Sequence, residues 1–282
     1  MIFLAGGTGT VGSRLLPLLL QRGVEVRCLV HSTQIDSSAA TSGVEVVEAD
    51  VDQPDTYASA LRGCDRLFLL TPAHPKQATR EVALLDAARS AGVNHVVRLS
   101  VIGAHRESPV NFARGHAEID DHLVASGLGY SILRPGGFMQ VHLLPQTATA
   151  EGRWYGMTGD GAHPFIDALD VAGVASELLA APRQESTMYE ITGPAAISMP
   201  EAAATLGRVL QREVQYVDLP AEQLSGALTD AGLPAYVVEG VVEFYAGIRA
   251  SHAATTTHTA EQILGRRPTG YEEFLRRNLS QS

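Results

Sequence analysis

Cysteine is scarce in this chain of 282 residues: only Cys28 and Cys64 are present, without metal-like spacing. That argues against a disulfide scaffold or a zinc module and leads to the expectation of a reduced, cytoplasmic protein. Positive charge is also in short supply. Lys plus Arg number 21 against 31 Asp plus Glu, a net charge of -10, so there is no broad basic face for a polyphosphate and nucleic acid is not expected as a partner. No window approaches the roughly 18 to 20 uncharged apolar residues that cross a bilayer, so no membrane partner is expected. The opening MIFLAGG has no basic leader, and its apolar run ends in glycines, so it reads as a strand rather than a signal peptide. Neither H-E-x-x-H nor G-x-S-x-G occurs, which removes the usual metalloprotease and serine hydrolase readings; no metal site is expected. What remains, 45% hydrophobic and 18% charged residues without low-complexity tracts, is the composition of an ordered globular chain.

Short apolar runs alternate with amphipathic stretches: MIFLA, TVGSRLLPLLLQR, VEVRCLV, VEVVEAD, DRLFLL, KQATREVALLDAARSAG and VNHVVRLS. Runs apolar on both faces belong to a parallel sheet covered by helices. With right-handed crossovers the pattern predicts an α/β, Rossmann-type, doubly wound parallel sheet. A helix is expected from about Val110 to Ser126, ended by Gly127, then a strand YSILR stopped by Pro135. Pro17 should kink the first helix. The Gly- and aromatic-rich GRWYGMTGDGAHPF suits a pocket lid better than a core element. The run DVAGVASELLAA reads as a helix, MYEIT as a strand, and the remainder as mostly helical with a short strand near VQYV. The expected division is a dinucleotide-binding domain over 1–145, continued by 165–192, and a smaller, mainly helical C-terminal substrate domain from 146–164 and 193–282.

Between the first strand and first helix stands AGGTGTVG. It satisfies G-x-G-x-x-G through Gly7, Gly9 and Gly12 and G-x-x-G-x-x-G through Gly6, Gly9 and Gly12. Glycines permit the tight turn and close backbone approach, while the helix N-terminus offers amides and partial positive charge to a pyrophosphate. A free ribose diol usually meets Asp or Glu at the end of the second strand, but here that strand ends Val30, His31, Ser32. Without a carboxylate a 2'-phosphate fits, with His31 and Ser32 as donors, so NADP(H) is favoured and NAD(H) remains possible. His31 as an exposed loop histidine is the competing reading. Asp50, at the end of VEVVEAD, either accepts from the adenine amino group or caps a turn.

Together with the glycine loop, EADVDQPDTYASALRGCDRLFLLTP, AGVNHVVRLSVIGA, HAEIDDHLVASGLGYSILRPGGFMQ and FIDALDVAGVASELLAAP follow in one order, and ILGRRPTGYEEFL closes the chain. In these segments the chain resembles the NmrA-like family, atypical short-chain dehydrogenase/reductases whose members include quinone, azo-dye and triphenylmethane reductases and also cofactor-binding regulators. The resemblance implies phosphate contacts at Gly6, Thr8, Gly9, Thr10, Val11 and Gly12, a ribose contact at His31, and adenine contacts at Asp50 and Val51. It implies a nicotinamide side formed by Thr71, Pro72, Ser100, His116 and Pro135 to Phe138, Gly136 included. Many members carry Arg at the position of His31.

In the Tyr-Lys reductases a Ser after strand five and a Tyr four residues before a Lys deliver the proton. Here that set reads Ser100, Phe112 and His116, so no phenolic acid is present. Ser100 and His116 are the catalytic candidates. Ser100 as a strand-end cap and His116 as a helix histidine bonded to a carboxylate such as Asp120 are the competing readings. The acceptor pocket is expected outside the carboxyl ends of the strands, with Phe138, Met139, His142, Trp154, Tyr155 and Phe165 as candidates, each explicable also as core packing. The chain is expected to be an NAD(P)H-dependent reductase, monomeric or homodimeric, acting by direct hydride transfer to a small planar apolar acceptor such as a quinone or dye. The alternative is an NAD(P)-binding redox sensor without turnover; an isomerase or dehydratase is disfavoured by the missing Tyr-Lys pair.

Overall fold

Strand β1 (Ile2–Ala5) is buried along its whole length, and its chain turns at once into α1 (Gly12–Gln21). In this computed structural model, which describes residues 1–30, 43–143, 151–182, 185–250 and 254–279, β1 is an interior strand of a seven-stranded sheet of order β3-β2-β1-β4-β5-β6-β9. The flanking strands are β2 (Val26–Val30), β3 (Val44–Glu48), β4 (Arg66–Leu69), β5 (His95–Leu99), β6 (Gly129–Pro135) and β9 (Thr187–Ile191). Every pair from β3 across to β6 is parallel, so their carboxyl ends share one edge. Chain order reverses between β1 and β4, the switch point where doubly wound sheets bind ligands. The expected fold class is therefore what the chain adopts.

Helix α3 (Gln77–Ala91) ends at Gly92 with φ +87°, and α4 (Asn111–Ala125) stops two residues before Gly127, φ +83°. These left-handed positions favour glycine because a Cβ is strained there. Helix α1 runs through Pro17 without interruption, and β6 extends to include Pro135.

By contact the chain separates into two compact units. The first comprises Met1–Glu107, Ala113–Arg134 and Val171–Glu190; the second comprises Ser108–Phe112, Pro135–Asp170 and Ile191–Ser282. The core of the first is built from Phe3, Leu67, Leu69, Leu84, Val96, Ile119 and Ile132.

The second unit corrects one expectation. The stretch read as a pocket lid contains β7 (Arg153–Gly156), paired in parallel with β11 (Gln215–Asp218), and β8 (Ala162–His163), paired with β10 (Ile197–Ser198). Along β7, Arg153 and Tyr155 face outward while Trp154 and Gly156 are buried, the two-residue alternation of a half-buried strand. Trp154 and Phe165 join Met139, Leu206 and Phe274 in the core of this unit. Helix α6 (Met199–Leu210) opens with a capping box: Ser198 accepts from the Glu201 amide and the Glu201 carboxylate accepts from the Ser198 amide. Helices α8 (Ala235–Arg249) and α10 (Tyr271–Leu279) lie in the same unit. Buried Asp170 accepts from Arg266 and from the Thr269 amide, and buried Asp167 accepts from Arg277, so two carboxylates beside the start of α5 (Ala168–Ala180) secure the last segment.

Candidate active site

The glycine loop divides into glycines required by packing and one that is not. At Gly6, φ is +104° and a Cβ would lie 2.1 Å from the Leu70 carbonyl oxygen, just past β4. A Cβ on Gly7 would meet Cys28 Sγ at 2.3 Å, and one on Gly12 would meet the Gly6 carbonyl oxygen at 2.1 Å. These three let the turn, the neighbouring strands and the helix approach closely. Gly9 differs, since its Cβ would meet only the Gly6 oxygen at 3.4 Å, an ordinary contact.

Thr8, Gly9 and Thr10 form an exposed crest. The first turn of α1 carries no acidic residue and no side chain caps it. Among the described residues no backbone hydrogen bond uses the amides of Thr10 or Val11. Free amides at a helix N-terminus, open space at Gly9 and no neighbouring acid on that turn fit a pyrophosphate.

His31 and Ser32 lie outside the described residues. Asp50 Oδ1 accepts from the Asp52 amide at 2.9 Å and Oδ2 from Gln53 Nε2 at 3.0 Å, so this carboxylate closes its own turn; Val51 is half-buried beside it. Thr71 is buried, with both its amide (3.0 Å) and its hydroxyl (2.8 Å) donating to Glu81 Oε1, and Pro72 is exposed.

Ser100 and His116 belong to a buried polar cluster in the first unit. Ser100 Oγ donates to Asp120 Oδ2 at 2.8 Å, and Arg134 donates to the same oxygen through Nε at 3.1 Å and Nη2 at 2.8 Å. Arg98, fully buried in β5, donates from Nε to Glu81 Oε2 at 2.9 Å and from Nη1 to Asp120 Oδ1. Its Nη2 lies 2.8 Å from His116 Nδ1. Burial above all, then the nearby guanidiniums of Arg98 and Arg134, hold the His116 pKa well below the usual imidazole range. The ring is therefore neutral near pH 7.

Sequence reasoning missed Arg98, Glu81 and Arg134. The available signal was an arginine inside an otherwise apolar parallel strand, VNHVVRLS: a buried guanidinium needs carboxylate partners, although sequence alone does not name them.

In the second unit, Pro135 and Gly136 are buried, and a Cβ on Gly136 would lie 2.3 Å from the Pro164 carbonyl oxygen. Phe138 is half-buried and bridges to Ile166. Met139, His142, Trp154 and Phe165 are buried together, with His142 edge-on to Trp154 (4.9 Å between centroids), Phe165 (4.5 Å) and Tyr271 (5.4 Å). Tyr155 is exposed. Phe112 packs against Phe244 at 6.1 Å in the same unit. Among the described residues no His, Cys, Asp and Glu are grouped to hold a metal ion, and no helix is long and apolar enough to cross a membrane.

Sheet order, switch-point loop and free helix amides define a dinucleotide-binding protein of the doubly wound class. The family model described as NAD(P)H-binding matches residues 6–182, and the chain belongs to that family. It is 35% identical over 275 residues to the NAD(P)H azoreductase of Xenophilus azovorans, covering 97% of this chain and 96% of that protein. The NADPH-dependent quinone oxidoreductase of Escherichia coli, solved in complex with NADPH, superposes with a TM-score of 0.90 at 25% identity, covering 99% of this chain and all 100% of the other. The negative transcriptional regulator NmrA shares the fold at a TM-score of 0.80 and 18% identity, covering 98% of this chain and 94% of that one.

Proposed function

We propose that this protein is an NAD(P)H-dependent oxidoreductase that reduces a small planar unsaturated acceptor, such as a quinone or an azo dye, by direct hydride transfer. When bound, the cofactor supplies the hydride and with it the electron pair. The observation that carries the reading is the absence of an available acid where Tyr-Lys reductases have one. Phe112 has no hydroxyl, the Ser100 proton is engaged by Asp120, and His116 is uncharged. Such a site suits acceptors whose barrier to hydride uptake is low without concerted protonation; positioning and exclusion of water do most of the work. The azoreductase and quinone oxidoreductase relatives support the same acceptor class. The glycine loop is assigned to the pyrophosphate, and Ser100 and His116 to the reacting end.

Oxidation of NADPH and NADH, followed by absorbance against a panel of quinones and azo dyes, tests the reading. Phe112→Tyr is expected to leave turnover within a few fold, because a hydroxyl added where none is used changes little transition-state energy. Tight NADPH binding without oxidation by any acceptor would replace the reductase with a redox sensor.

Cofactor preference is tested at His31. His31→Asp sets a negative charge where a 2'-phosphate is proposed to lie, so NADPH affinity should fall at least about tenfold while NADH affinity falls less or rises. Fluorescence titration with each cofactor measures this. Equal losses would show that His31 does not face the ribose.

A further inference from the structure

We propose that Arg98 is a positioning residue that fixes His116 as the Nε2–H tautomer, so that the ring presents a hydrogen-bond donor at Nε2. The assignment of His116 to the reacting end rests on the reductase reading above; the tautomer itself does not.

Arginine carries only donors and does not lose its proton in proteins. At 2.8 Å from Arg98 Nη2, His116 Nδ1 must therefore present its lone pair, and a neutral ring then carries its proton on Nε2. The opposite tautomer would set N–H against N–H. An imidazolium would do the same and add a third cation beside Arg98 and Arg134.

Arg98 has little freedom to turn away. Its Nε is held by Glu81, whose other oxygen accepts from the Thr71 amide, the Thr71 hydroxyl and Gln77 Nε2 at 3.0, 2.8 and 3.1 Å. Its Nη1 is held by Asp120 and lies 3.4 Å from the His116 carbonyl oxygen. Asp120 in turn takes Ser100 and Arg134 on its second oxygen. The charges facing the ring thus come from β5 (Arg98), β6 (Arg134), α3 (Glu81) and α4 (Asp120), two positive and two negative. The cluster balances only while His116 stays neutral.

This arrangement sorts the remaining valences. The Ser100 proton points at Asp120, leaving its oxygen lone pairs as acceptors. His116 Nε2 has no partner among the described residues, and the residue keeps 7% exposure, so its N–H is left for a ligand. A carbonyl oxygen or azo nitrogen gaining electron density during reduction would be stabilised by that donor without receiving its proton in the same step.

The direct test is nitrogen NMR of the ring in protein labelled at histidine, without cofactor and with NADPH, the His116 signals being assigned by their loss in His116→Asn. Nδ1 is expected in the unprotonated range and Nε2 in the protonated range, neither moving between about pH 5 and 8. A proton on Nδ1, or a titration inside that window, would overturn the proposal. This readout holds whether or not the protein turns over, so its failure is distinct from failure of the reductase reading. Arg98→Lys keeps the charge but replaces a three-way fork by a point donor. If it folds, it should yield mixed tautomers or restore titration; unchanged nitrogen shifts would remove Arg98 from the role. With an active wild type, His116→Gln places an amide donor near the Nε2 position and should retain at least about tenfold more kcat than His116→Asn, with similar KM for NADPH. Equal losses in the two variants would count against the donor role.

Discussion

Gly12→Ala should destroy the native glycine loop, while Gly9→Val should leave the fold intact and abolish cofactor binding. The contrast follows from what each Cβ would meet. At Gly12 the new methyl would sit 2.1 Å from the Gly6 carbonyl oxygen and 2.6 Å from the Gly7 Cα, both backbone atoms of the same tight turn. They cannot rotate away as a side chain would, so the cost should reach at least about 3 kcal/mol, the upper end for overpacking. At Gly9 the corresponding atom has only a 3.4 Å contact, and its backbone is not left-handed, so a branched side chain is accommodated. That side chain then fills the exposed crest over the free amides of Thr10 and Val11, where the pyrophosphate is proposed to lie. Thermal melts should show Gly9→Val near wild type and Gly12→Ala strongly lowered, and NADPH titration should show at least about a hundredfold weaker binding for Gly9→Val. Full NADPH affinity in Gly9→Val would remove the loop from the cofactor site.

Acid should destabilise the protein well before its carboxylates titrate, and His142→Phe should weaken that dependence. Burial, with a smaller contribution from His163, pushes His142 down to about 3, and burial pushes His163 down to about 4. Among the described residues both ring nitrogens of His142 lack hydrogen-bond partners; His163 Nε2 accepts from the Gly137 amide at 2.7 Å while its Nδ1 has no partner there. A histidine whose folded pKa is depressed binds fewer protons folded than unfolded. Its stabilising contribution is complete above the unfolded value near 6.5 and is lost as pH falls through the window down to about 4 for His163 and about 3 for His142. At about pH 5 each ring should have lost roughly 2 kcal/mol, and the pair roughly 4 kcal/mol. His95 and His116, also depressed mainly by burial, act in the same direction. In His142→Phe a phenyl ring takes the edge-on contacts with Trp154, Phe165 and Tyr271 and leaves no polar atom unpaired. Melting temperatures at about pH 7 and pH 5 should therefore differ less in the variant than in the wild type. An identical pH dependence would show that His142 is not held neutral in the folded protein.

The features that local chemistry dictates were legible from the residues alone. Apolar runs with βαβ spacing specify a covered parallel sheet; glycines at 6, 7, 9 and 12 specify the turn between β1 and α1; Gly127 specifies the end of α4. Each signal acts within a few residues, through backbone sterics or a two- or four-residue periodicity. The same reading left Trp154 and Phe165 open between pocket and core, because an aromatic side chain carries the same apolar surface in either place. Trp154 is buried by the folded second unit, on a strand that pairs with β11 and against core residues as distant in sequence as Leu206 and Phe274. The buried polar cluster around Arg98 was equally hidden. His116 and Asp120 stand four residues apart on α4, but nothing local joins them to Glu81, Arg98 and Arg134, which arrive from α3, β5 and β6. The sequence by itself thus determined the sheet, the loop and the residue types available to the chemistry, since these follow from local sterics and periodicity. The tertiary structure decided which charged groups surround His116 and which aromatics are buried, because those depend on long-range contacts that local pattern does not encode.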